Sequence, residues 1–129
     1  MDWRKDFEVG VKNIDDQHMR LVELISIVER TQRAEADHAE LGRVLKNLVE
    51  YVIEHFAAEE QIMEKISYPH LSRHKALHAD LVEDVKKILL KLKSGKQISC
   101  DEMKAFLESW LGDHILSEDK KIGEYIQCV

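Results

Sequence analysis

His55-Phe56-Ala57-Ala58-Glu59-Glu60-Gln61-Ile62-Met63 is the stretch that decides how this chain folds. Phe56 and Met63 continue an apolar series, Leu41, Val44, Leu45, Leu48 and Val52, whose three- and four-residue steps mark one face of a helix. His55 and Glu59 are four residues apart, so they project from nearly the same side, about one turn (roughly 5.4 Å) along the axis. An imidazole and a carboxylate thus stand beside the apolar stripe of a long helix. Asp37, with Glu40 three residues later, supplies a capping-box start for it. Tyr68-Pro69 ends it, because proline cannot continue a helix but suits the first turn of the next.

Outward from this helix the same pattern repeats. After Pro69, Leu77, Leu81, Val85, Ile88 and Leu92 face inward on a further helix that stops before Ser94-Gly95. Ser99 with Glu102 opens another, carrying Met103, Phe106, Leu107, Trp110, Leu111 and Ile115. Towards the N-terminus, Leu21, Val22, Ile25 and Val28 predict a helix capped at Asp15 and fading near Arg33. The first dozen residues lack a period and contain Gly10. They read as an extended arm packed onto the rest through Trp3, Phe7 and Val9 or Val11. Short connections favour antiparallel neighbours. The expected fold is all-α: an antiparallel up-down-up-down four-helix bundle with an N-terminal arm and a short C-terminal helical segment, in one domain over residues 1–129.

Composition agrees with long helices and a charged exterior, at 44% hydrophobic and 34% charged residues with one Pro and five Gly. A net charge of -6 argues against nucleic acid as a partner, since phosphate binding needs a basic surface. The mixed-charge start Met1-Asp2-Trp3-Arg4-Lys5-Asp6 is not a signal peptide, and no apolar run approaches the roughly 20 residues that span a bilayer. Cys100 and Cys128 read as free thiols in a reducing cytosol. The expectation is a soluble cytoplasmic protein with no membrane partner.

Five of the seven histidines fall on or beside the apolar stripes. His18 precedes Leu21 by about a turn, His55 pairs with Glu59, His74 and His78 repeat the four-residue spacing, and His114 follows Trp110 by four. One such histidine is ordinarily a core residue satisfied by a single hydrogen bond. Several imidazoles and a carboxylate buried without partners would cost a few kcal/mol for each unsatisfied group, against a net domain stability of about 5–15 kcal/mol. Metal binding removes that cost by giving the lone pairs a ligand role. His38, among acids at a helix start, reads as exposed. In His70-x3-His74-x3-His78, spacing alone does not say which two histidines bind metal, although His70 at the bundle end is the weaker candidate. Asp119 is five residues after His114, which in a regular helix leaves the side chains about 140° apart. Either it is a surface acid, or the helix is interrupted between them, with Ser117 as a fresh N-cap ahead of Glu118 and Asp119.

Taken together, Gly10-Val11, Ile14-Asp15, Gln17-His18 and Leu21, then His55-Phe56-x-x-Glu59-Glu60-x-x-Met63, Tyr68-Pro69, His74-x3-His78 and Trp110-Leu111-x-x-His114-Ile115-x3-Asp119 closely resemble the hemerythrin family in its single-domain bacterial form. The resemblance runs from the arm to the last segment, and a familiar aromatic near Leu81 is replaced by leucine. It implies two iron ions in a non-haem di-iron centre, bridged by carboxylates and by hydroxide or oxide. His74, His78 and His114 would hold one iron, His18 and His55 the other, and Glu59 and Asp119 both. One iron would then be six-coordinate, and the other would keep an open position for molecular oxygen. The implied function is reversible oxygen binding for transport, storage or delivery to an oxygen-consuming enzyme, without catalysis.

Charge gives a separate reason to prefer binding over oxidation chemistry. Two ferrous ions with two protein carboxylates and neutral imidazoles keep a net positive centre, which resists high-valent iron. Ferritin-like oxidases use more carboxylates and paired Glu-x-x-His motifs; here Glu35-x-x-His38 is the only one, at a helix boundary. Leu21, Ile25, Phe56, Leu77, Trp110 and Ile115 are the residues expected to wall the oxygen pocket. The alternative function is an oxygen/redox or iron sensing module acting through a protein partner, which a pull-down dependent on oxygen state would reveal. Catalysis would show as turnover beyond stoichiometry. Zinc usually takes four ligands per ion and suits this donor set less well.

Overall fold

A computed structural model describes residues 1–128 of the chain. The helices are α1 (Lys12–Arg33), α2 (His38–Lys65), α3 (Leu71–Lys93), α4 (Cys100–Leu107) and α5 (Lys120–Cys128). Two π-helical segments, Glu108–Gly112 and Ile115–Asp119, lie between α4 and α5, and a single 3-10 turn, Lys5–Phe7, lies in the arm. The four rods, α1, α2, α3 and the α4–α5 run, form the antiparallel bundle that the sequence predicts. α1 packs on α2 and α4, and α2 on α3. Among the described residues no helix is long and apolar enough to cross a membrane.

Capping explains most of the boundaries. Asp37 accepts a hydrogen bond from the Glu40 backbone N–H at 2.8 Å, and Ser99 accepts one from Glu102 at 3.1 Å. α3 ends at Lys93, and Gly95 follows at φ +86, a conformation that favours glycine. Asp15 does not cap α1 as expected. The helix begins three residues earlier, at Lys12, and Asp15 reaches back out of it to accept from the N–H groups of Val9 (2.8 Å) and Gly10 (3.2 Å). Gly10, at φ +89, folds the chain so that these donors face the helix. α3 also starts later than the sequence suggests: Pro69 lies in the preceding turn and exposed His70 is only the N-cap.

The larger difference is in the last rod. The expected interruption at Ser117 is absent. Asp113, His114 and Lys120 all keep right-handed helical dihedrals, and the Ser117 hydroxyl donates back to the Asp113 carbonyl at 2.6 Å instead of capping a new helix. The chain widens to π-helical turns and continues straight into α5.

Apolar side chains form two buried clusters. The larger includes Leu21, Ile25, Leu45, Leu48, Val52, Phe56, Val85, Leu107, Leu111 and Ile115. The smaller comprises Val9, Ile14, Met63, Tyr68 and Ile122, so the arm packs on both, through Phe7 on the larger and Val9 on the smaller. In α3, Val85, Leu89 and Leu92 are buried, whereas Leu77, Leu81 and Ile88 are only half-buried, so this rod turns its face slightly from the expected one. Along α1, α2 and the last rod, the residues between the two clusters are the polar ones.

Candidate metal centre

Each rod contributes to that intervening layer. α1 supplies His18, α2 His55 and Glu59, α3 His74 and His78, and the last rod His114 and Asp119, and all seven side chains are buried. The four-residue pairs on α2 and α3 converge as helical geometry requires. His114 and Asp119 converge because the intervening segment is π-helical. Its i→i+5 hydrogen bonds widen the turn by one residue, so positions five apart share a face.

The carboxylates divide their oxygens. Glu59 Oε2 lies 3.3 Å from His18 Nε2 and 2.9 Å from His55 Nε2, while Asp119 Oδ2 lies 3.1 Å from His18 Nε2. Glu59 Oε1 lies 3.2 Å from His74 Nε2 and 3.1 Å from His78 Nε2. Asp119 Oδ1 lies 3.0 Å from both His74 Nε2 and His114 Nε2. Two groups of ligand atoms result, each with its members within 4.8 Å of one another: Glu59, His74, His78, His114 and Asp119, and His18, His55, Glu59 and Asp119. Both carboxylates belong to both groups.

Several of these contacts are close without being hydrogen bonds. His55 Nε2, His114 Nε2 and both Asp119 oxygens are buried with no aligned partner, as is His18 Nδ1. An unsatisfied buried polar atom costs about 1–3 kcal/mol, and lone pairs that converge on shared points satisfy that need with a cation at each point. Nitrogen and carboxylate donors of this number fit a pair of six-coordinate transition-metal ions better than tetrahedral zinc.

Outer contacts hold two of the rings. His55 Nδ1–H donates to Gln17 Oε1 at 2.6 Å, and His78 Nδ1–H donates to Glu60 Oε2 at 2.8 Å. Nothing in the sequence pattern assigns Gln17 or Glu60 a role. Each lies on a different helix from its histidine, so no local spacing could reveal the contact. His38 and His70 are both exposed and outside the site. Of the expected pocket walls, Leu21, Ile25, Phe56, Trp110 and Ile115 are buried, and the Trp110 indole N–H donates to the Leu81 carbonyl at 2.8 Å. Leu77 instead lines a surface groove with Leu81, Phe106 and Trp110, beside His114.

Comparison with known proteins agrees with this geometry. A family model described as the hemerythrin HHE cation binding domain matches residues 9–126. A bacteriohemerythrin of Stenotrophomonas maltophilia is 32% identical over 126 residues, covering 98% of this chain and 81% of the relative. Another, of Pseudomonas paraeruginosa, is 34% identical over 117 residues, covering 91% and 75%. A wild-type hemerythrin crystal structure superposes with a TM-score of 0.87 at 31% identity, covering 98% of this chain and 97% of the other.

Proposed function

The chain belongs to the hemerythrin family, and from that premise we propose that it binds molecular oxygen reversibly at a non-haem di-iron centre, as a cytoplasmic carrier, store or delivery protein without catalytic turnover. The observation that carries the proposal is the division of Glu59 and Asp119 oxygens between two groups of histidines. On this reading His74, His78 and His114 would hold one iron and His18 and His55 the other, with Glu59 and Asp119 available to both. Bound there, the iron pair supplies the electrons and the open coordination position that oxygen requires.

The protein's own residues account for the rest. Three imidazoles on one side and two on the other leave the His18–His55 side one donor short, so the reactive position belongs there. Five neutral imidazoles and two carboxylates leave two ferrous ions with net positive charge, which favours release of oxygen over further oxidation. Leu21, Ile25, Phe56 and Ile115 wall the site with apolar groups. Together with buried Trp110 they would keep water and protons away from the site. Leu77, half-buried in the surface groove beside His114, lies outside that wall.

The test is to reduce the iron-loaded protein under argon, record its visible spectrum while oxygen is admitted, and then purge. A charge-transfer band that appears with oxygen and vanishes on purging, with uptake of no more than one oxygen per iron pair, is the expected result. A single irreversible change, or uptake beyond that ratio, overturns the carrier reading.

A further inference from the structure

We propose that Glu60 is a positioning residue that makes His78 the most electron-rich ligand of the centre, biasing the three-histidine iron towards its oxidised state. The inference rests on the di-iron reading above and concerns a residue which that reading does not use. Glu60 follows Glu59 directly, and successive residues point about 100° apart around a helix. α2 therefore sends one carboxylate into the site and the next towards α3. There Glu60 Oε2 accepts from His78 Nδ1–H at 2.8 Å, while His78 Nε2 faces the shared Glu59 oxygen at 3.1 Å. The ring has little freedom to turn away, because Phe56 stacks on it with centroids 3.8 Å apart and planes within 2°.

The other half of the centre has the same kind of contact with a neutral partner. His55 Nδ1–H donates to the Gln17 amide oxygen, and His18 Nδ1 is buried with no partner. Behind the histidines the two halves thus differ in charge: a carboxylate on the His78 side, an amide on the His55 side. Either acceptor fixes the tautomer that leaves Nε2 free to bind metal. Only the carboxylate also pushes electron density through the ring towards Nε2, which favours the more highly charged ion. The Glu60 side chain is 23% exposed, so water screens part of the carboxylate's field.

The experiment compares iron-loaded wild type, Glu60→Gln, Glu60→Ala and Gln17→Glu by iron per chain, midpoint potential and rate of iron loss to a chelator. Glu60→Gln keeps an acceptor and loses the charge. It is expected to bind two irons with a more positive potential, shifted by about a tenfold change in the oxidised-to-reduced ratio (about 59 mV for one electron). Glu60→Ala loses the orientation as well and should shed iron roughly 10–100-fold faster. Gln17→Glu should move the potential the opposite way. Two irons with an unchanged potential in Glu60→Gln overturn the role of Glu60 and leave the di-iron reading intact. A wild-type chain that takes up no iron pair overturns both. Should Glu60→Gln fail to fold, Gln17→Glu decides, and a potential that stays or rises there overturns the proposal.

Discussion

At His18 and His74 two opposing effects meet in the metal-free protein. Burial disfavours the charged imidazole, yet the neighbouring Asp119 and Glu59 outweigh it and raise both groups to about 9. Burial likewise opposes ionisation of Glu59, and four histidines outweigh it, holding the carboxyl well below its usual range. Asp119 is pushed up by burial and by Glu59, but His114 and His18 carry it down further. The linkage signs follow. A histidine raised from about 6.5 to about 9 contributes stability that is complete below 6.5 and lost as pH rises through 9. The depressed carboxylates contribute above their ordinary values near 4, and that part is lost as pH falls. The metal-free protein should therefore melt at a lower temperature at pH 9.5 than at pH 6, and iron should narrow the difference by replacing the protons. An equal or higher melting temperature at pH 9.5 would sink the account. Because iron must displace those protons, apparent iron affinity should increase between pH 6.5 and 9, measurable by competition with a chelator. At this scale the sequence was most readable: the seven residues expected as ligands meet in one buried layer, and of His70, His74 and His78 only the last two lie in it. Gln17 and Glu60 were unreadable as partners because their contacts cross between helices.

Elements were less legible than residues. Caps at Asp37 and Ser99 follow from a donor three residues downstream, a purely local pattern, and both are present. Asp15 has the right chemistry for a cap, but its partners lie in the arm, whose path depends on Gly10. The π-helical segment at Ile115–Asp119 has no such signal, since its widened turn is fixed by what His114 and Asp119 must face. That segment makes a sharp prediction. In a regular α-helix the acid facing the site with His114 would be four residues on, at Glu118; in the π-helical turn it is Asp119. Glu118 lies at the surface side, paired with Arg73 at 3.0 Å and Lys121 at 3.7 Å. Glu118→Gln should leave two irons per chain and cost no more than about 1 kcal/mol. Asp119→Asn should lower iron content, measured by metal analysis, while far-UV circular dichroism keeps its helical form. The reverse pattern would mean that the rod is α-helical there.

Over the whole molecule, the arm and the last rod close the bundle around the site, and one glycine shows how tightly. A Cβ placed on Gly123 would lie 1.8 Å from the Val9 carbonyl oxygen and 2.9 Å from its carbon, both backbone atoms with no flexible end to yield. Val9 and Ile122 belong to the smaller apolar cluster, and Gly123 follows Asp119 by a single turn. Gly123→Ala must displace either the arm or α5. Displacing the arm uncovers the smaller cluster, and displacing α5 pulls on Asp119. Both cost stability, about 1–3 kcal/mol or more on the scale of overpacked cores, and both should hasten iron loss. Gly42 is the natural comparison, because it lies within α2 and, beyond its own helical turn, nothing comes within 4 Å of an added Cβ. Gly42→Ala should stabilise the protein by about 0.5–1 kcal/mol through helix propensity alone. Thermal melts of the two variants should therefore move in opposite directions from wild type, with faster chelator-driven iron loss only in Gly123→Ala. If Gly123→Ala melted at the wild-type temperature and held iron as firmly, the arm would not be clasped against α5.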